Sequence, residues 1–192
     1  QKVEDSFIVN VDSVTVSTET PFLLEANIES PELFYLYLDR KSKNPNDDRI
    51  EFFGEKGNIS IKTNLENYFL DAKISGSATH DILEEYQAMS KQFQNRRLEL
   101  FKAYFDAQKN NNIDTLSILS QTSENLERRH LLYTINFAIR NAESEVAPYL
   151  AITAFPKEAR SFLDTLQKSL SPQVRASKYG KILEKFLLEK TD

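Results

Sequence analysis

Residues 77–109 read SATHDILEEYQAMSKQFQNRRLELFKAYFDAQK, with neither Pro nor Gly in the run. Its larger apolar residues, Ile82, Tyr86, Met89, Phe93, Leu100 and Tyr104, recur at helical spacing. That spacing predicts one long amphipathic helix with these six side chains on its buried face. On the N-terminal side the chain alternates like strands, and on the C-terminal side everything reads helical. The order strands first, helices second defines an α+β protein rather than a βαβ array.

Working backwards from the helix, residues 1–76 read as an antiparallel β domain. Phe7, Val9 and Val11 alternate, as do Val14 and Val16, and then Phe22, Leu24, Ala26 and Ile28, with residues 18–21 as the turn between the last two. In LFYLYL (33–38) both alternating sets are apolar or aromatic, the pattern of a central strand covered on both faces. Residues 39–48 form a polar loop broken by Pro45. Strands over 49–53, 58–63 and 68–74 follow, the first two joined by the turn Gly54-Glu55-Lys56-Gly57. About seven short strands without intervening helices predict a β-sandwich or an open-barrel-like sheet.

The switch to helix falls at Ile74-Ser75-Gly76-Ser77. Gly76 releases the strand, and Ser77 or Thr79 is positioned to cap the helix, with Asp81, Glu84 and Glu85 favourable against the positive end of its dipole. KNNN at 109–112 stops it, and a second helix over 114–141 carries Leu119, Leu126 and Tyr133 seven apart, beside Leu116, His130 and Phe137. The short connection predicts an antiparallel hairpin with arms of roughly 40 Å. Shorter helices over 146–155, 156–170 and 172–189 complete an all-helical region of residues 77–192, a small C-terminal bundle. The proline at 172 follows a capping serine, and a break is expected near Ser177.

Charge narrows the function. Residues 1–78 carry 8 Lys+Arg against 14 Asp+Glu, net −6, while residues 79–192 carry 16 against 15, net +1. An acidic front and a balanced rear lack the clustered basic surface that nucleic acid requires. With no cysteine, the chain holds no CxxC redox centre, thiol nucleophile or thiolate metal site. No apolar run reaches the ~20 residues of a membrane span and no signal peptide opens the sequence. The expectation is a cytosolic protein or one whose leader has been removed.

Searches for chemistry return structural explanations. His80 falls at a helix start, where a solvated side chain is expected, and His130 falls on the seam of the second helix, where a core or half-buried one is expected. Neither has a second histidine at ligand spacing. The clusters Asp81-Glu84-Glu85 and Glu143-Glu145 both fall at helix starts and are read as dipole compensation. Ser75-Gly76-Ser77 lacks the second glycine of a nucleophile elbow, and Gly54-x-x-Gly57 is too short to cradle phosphate. Asn58-Ile59-Ser60 fits the glycosylation pattern, a short motif that occurs often by chance. No catalytic residue, cofactor or metal is expected. Aromatic residues remain: Phe34, Tyr35 and Tyr37 on one strand, and Phe101, Tyr104 and Phe105 on the long helix. Phe101 and Phe105 lie off its main stripe and are the interface candidates.

Several stretches together are similar to a known family. Val11-Asp12-Ser13-Val14, Phe22-Leu23-Leu24, residues 30–36 (SPELFYL), residues 52–61 (FFGEKGNISI) and Ile74-Ser75-Gly76-Ser77 resemble the DUF4369 domain. That domain is found at the N-terminus of TlpA-type, thioredoxin-like thiol-disulfide oxidoreductases and related envelope lipoproteins of Bacteroidetes. Residues 133–149 and 177–180 resemble the helical segment that follows it. The resemblance implies a periplasmic, non-catalytic docking or spacing module of the cell envelope, with protein partners (itself or an envelope protein) and a lipid anchor outside residues 1–192. The alternative is a small-ligand binder with an aromatic-lined cleft between sheet and helices.

Overall fold

The computed structural model describes residues 1–4, 7–16, 21–40, 48–155 and 160–188. The chain is α+β and divides into two compact units, residues 1–81 and 82–192.

Unit 1 contains β1 (Lys2–Glu4), β2 (Phe7–Val9), β3 (Glu32–Tyr37), β4 (Arg49–Gly54), β5 (Ser60–Lys62) and β6 (Lys73–Ser75). Four of them form an antiparallel sheet in the order β2-β1-β3-β4, and β5 and β6 pair separately. As the apolar run predicts, β3 is interior in the sheet. Its register against β4 sets Phe34 opposite Phe52 and Leu36 opposite Ile50 on one face, and Leu33 opposite Phe53 and Tyr35 opposite Glu51 on the other. Ile50, Phe53, Leu33 and Phe34 are buried, so both faces are covered at the Leu33 end.

The strand reading departs from the structure at three places. Lys2–Glu4, unread as a strand, pairs with β2. Residues 11–16 and 21–28 alternate but carry no ladder among the described residues. Alternation marks a chain able to pair, while a ladder needs a neighbour in register. This excursion is instead pinned by Asp12, whose carboxylate accepts the N–H groups of Ser13 at 2.7 Å and Glu25 at 2.9 Å. The expected strand over 68–74 contributes only Lys73–Ser75, because residues 68–71 form a turn. Of the expected turn at 18–21 and the loop at 39–48, residues 18–20 and 41–47 lie outside the described residues. Within the loop, the Asp48 carboxylate accepts from Arg40, and Arg40 also donates to the Leu65 carbonyl. Burial, then the nearby Asp48 charge, pushes the Tyr68 hydroxyl up to about 12.

Gly76 sits at φ +94°, and a Cβ there would lie 2.3 Å from the Asn58 carbonyl oxygen, so the release of β6 into the helix requires glycine. Helix α1 (Ala78–Lys109) follows. The Ser77 hydroxyl accepts the His80 N–H at 3.0 Å, the expected cap. A second acceptor comes from the 54–57 turn: the Glu55 carboxylate takes the N–H groups of Ala78 and Thr79 and the Thr79 hydroxyl, the last at 2.6 Å.

Unit 2 is helical: the rest of α1, then α2 (Ile113–Arg140), α3 (Val146–Thr153), α4 (Arg160–Ser169), α5 (Pro172–Ala176) and α6 (Lys178–Leu188). The chain reverses through Asn111 at φ +49°, and the Asn112 side chain caps α2 by accepting from Thr115 N–H at 3.1 Å. The predicted stripe of α1 is corrected by the structure. Met89 lies off the seam and is 38% exposed, and Tyr104, though on the seam, is 41% exposed near the hairpin turn, whereas Leu83, Tyr86, Ser90, Leu100 and Ala107 are buried. Positions 83, 86, 90, 93, 97, 100, 104 and 107 step by three and four, the heptad repeat by which a long helix follows a partner. A strict 3.6-residue stripe would drift off that seam. On α2 the same stepping runs through Leu116, Leu119, Ser123, Leu126, His130, Tyr133 and Phe137, as the sevenfold spacing of its leucines predicts.

The remaining helices enclose the densest core: Ala138, Ala142, Ala147, Ala151, Leu163, Leu166, Leu170, Val174 and Leu183. Ser171 caps α5 by accepting the Val174 N–H at 3.3 Å, with Pro172 following it. The chain restarts at Ser177, where the break was expected. Gly180 lies against α5 so closely that a Cβ would meet the Val174 carbonyl oxygen at 2.2 Å. On α4 and α6, Leu163, Leu166 and Leu183 are buried, whereas Phe162 and Ile182 are exposed.

Candidate functional site

The titratable candidates are accounted for by packing. His80, read as solvated at a helix start, is only 3% exposed. Helix starts are usually wet, but this one folds onto the edge of β4, where His80 Nδ1 accepts the Phe53 N–H at 3.4 Å. The imidazole therefore covers a sheet edge. Glu145, read as a dipole partner at a helix start, is buried, and at that helix start the side-chain acceptor for Val146 N–H is the Ser144 hydroxyl at 3.3 Å. Among the described residues no three of His, Cys, Asp and Glu converge as a metal would require. Asn58 is exposed, and Ser77 is fully buried in its capping role.

His130 occupies the seam position expected for it. It stacks on Phe93 at a 4.7 Å ring separation, and its Nε2 lies 3.1 Å from the Ser90 hydroxyl. Desolvation, then the nearby Arg97 charge, holds its pKa below the usual imidazole value. Below it Tyr86 packs on Tyr133 and Phe137, and its hydroxyl meets the Thr134 hydroxyl at 3.1 Å. Above it Arg97 grips Glu127 with two parallel bonds of 2.6 and 2.7 Å. Partners descend along α2 (134, 130, 127) as they ascend along α1 (86, 90, 97), which makes the hairpin antiparallel.

Beyond Arg97 the outer surface of α1 changes character. Phe101 is 59% and Phe105 51% exposed, their rings 5.8 Å apart, and Leu98 continues the stripe one turn back. Phe101 and Phe105 stand at i and i+4, as do Lys102 and Asp106 beside them, so two parallel ridges run across the helix. The groove between the ridges is a shallow depression lined by those four residues. Neighbouring charges are engaged within the chain, Arg96 with Glu99 at 2.7 Å and Arg97 with Glu127. Among the described residues Lys102 and Asp106 have no ion-pair partner. Sequence reading found the two phenylalanines by their displacement from the main stripe. It passed over Lys102 and Asp106, whose i, i+4 spacing was the available signal.

Phe34, Tyr35 and Tyr37, the strand aromatics, divide between the faces of β3. Phe34 is buried and stacked on Phe52, whereas Tyr35 carries Arg49 over its ring at 5.1 Å. They form no single aromatic surface. No helix among the described residues is long and apolar enough to cross a membrane.

Comparison with known proteins gives one match. Residues 1–83 fit the model of a family described as a domain of unknown function, DUF4369. No curated protein and no solved structure matches the chain.

Proposed function

Residues 1–83 belong to the DUF4369 family, and from that premise we propose that this chain is a non-catalytic docking or spacing module of the bacterial cell envelope, associated with proteins of the thiol-disulfide oxidoreductase type. One observation carries the reading. A hairpin of two helices, the longer of 32 residues and so about 48 Å, presents an exposed aromatic ridge, Phe101–Phe105, continued by Leu98. Large rings held at half exposure on a rigid helix are the anchors that protein interfaces use. The absence of cysteine means that any thiol chemistry belongs to a partner or to another domain.

The test has two arms. The purified chain should not accelerate reduction of a protein disulfide by dithiothreitol, and in its native cell the protein should fractionate with the envelope. Turnover of the disulfide, or a purely cytosolic location, overturns the reading.

A further inference from the structure

We propose that the Phe101–Phe105 ridge is the docking site for a second copy of this chain, seated across a two-fold axis that runs perpendicular to α1. This deepens the docking reading by naming the occupant of that ridge.

A ridge at i, i+4 beside a groove bounded by a second i, i+4 ridge is the surface that lets two helices interdigitate, each ridge entering the other's groove. Phe101 and Phe105 supply the ridge, and Lys102 and Asp106 supply the far wall of the groove. The same four residues thus hold both halves of the contact, which is what an isologous interface needs.

Charge then selects the partner and its direction. In a two-fold contact, whatever Lys102 meets on the other copy meets Lys102 in return. An axis lying along α1 would oppose Lys102 to Lys102 and Asp106 to Asp106, which like-charge repulsion disfavours. An axis across α1 places Lys102 against the second copy's Asp106, twice over. Lys102 and Asp106 have no ion-pair partner among the described residues, nor has Lys109 one turn on, while Arg96 and Arg97 are engaged with Glu99 and Glu127. A partner of one charge sign would satisfy only one of Lys102 and Asp106; a second copy satisfies both.

Size sets the strength. Three exposed side chains and a helical turn cover less than the ~800 Å² per partner of a standard interface. The dimer is therefore weak and concentration-dependent, with a dissociation constant on the order of 10 μM to 1 mM.

Sedimentation velocity of the full chain from about 5 μM to about 1 mM tests it, that span bracketing the affinity expected for a small interface. The wild type should move from monomer towards dimer. Lys102→Asp, which opposes Asp to Asp, should weaken association at least about tenfold. Adding Asp106→Lys to it should return association to within about threefold of wild type, because the reversed pair recreates the attraction. A monomer throughout the range, a dimer indifferent to Phe105→Ser, or a double charge variant no better than the single one each overturns the proposal. Far-UV circular dichroism of every variant confirms that it is folded. A monomeric chain that lacks disulfide turnover and sits in the envelope would sink self-docking while leaving the broader docking reading in place.

Discussion

Two regions of unit 2 are equally helical and built on different terms. In the C-terminal bundle, short helices converge on Leu163, Leu166, Val174 and Leu183, all essentially inaccessible. In the hairpin, long helices meet through aromatic rings, hydroxyls and an arginine fork, and toward the turn the leucines of α2 are only half-buried. The difference separates labour. Dense aliphatic packing supplies stability, whereas a specific polar and aromatic seam fixes register and leaves side chains free to face outward.

The comparison breaks first if the bundle proves dispensable. Leu166→Ala should cost about 2–5 kcal/mol, the range for truncating a fully buried leucine, read from urea denaturation. The companion Phe105→Ala in the hairpin should stay within about 0.5 kcal/mol of wild type. Equal losses would end the contrast. Next in size, Gly180→Ala should cost about 1–3 kcal/mol, because its new methyl group would stand 2.2 and 2.6 Å from the carbonyl oxygens of Val174 and Arg175, backbone that cannot rotate away. A silent Gly180→Ala would mean that α5 and α6 are loosely joined.

Smaller effects sharpen the hairpin side. Tyr86→Phe removes a buried hydroxyl that meets Thr134, and should cost about 1 kcal/mol in the same denaturation measurement. The loss is modest because the Thr134 hydroxyl keeps its bond to the His130 carbonyl at 3.0 Å. His130 adds a pH dependence. Desolvation and then Arg97 lower its folded pKa below the unfolded value of 6.5, so between those two values the unfolded chain binds more protons and stability rises with pH. Acidification from pH 7 should therefore begin to lower the denaturation midpoint as it passes 6.5, and the loss should level off below the depressed folded value. His130→Gln should flatten that part of the profile, and an unchanged slope would show that the imidazole is not desolvated.

Much of this organisation was legible in residue order, and the exceptions share a cause. Helix boundaries were marked by local chemistry: Gly76 at the release, Ser77 as cap, the asparagines at 110–112, Ser171-Pro172 before α5. Such signals act over four or five residues and need no knowledge of the fold. What failed was the part that depends on distant partners. Met89 reads as core because a single helix offers no clue which flank of the 86, 93, 100 column its partner covers; the buried flank is Leu83 and Ser90. His80 reads as solvated because nothing near it in sequence announces the edge of β4. Glu55, from a turn 23 residues away, could not be foreseen as the acceptor for Ala78 N–H. At the ridge, local spacing marks Phe101 and Phe105, while Lys102 and Asp106 stand out only against Arg96 and Arg97, whose engagement with Glu99 and Glu127 depends on the fold.

The central claim, that the exposed ridge serves interaction and the bundle serves stability, is tested most directly by one variant read two ways. Phe101→Ser with Phe105→Ser should leave the urea midpoint within about 0.5 kcal/mol of wild type when measured in dilute solution, since both rings are more than half exposed. The same variant should remain monomeric in sedimentation at concentrations where the wild type associates. A fall of about 2 kcal/mol or more in stability, or association as strong as that of the wild type, would contradict the account.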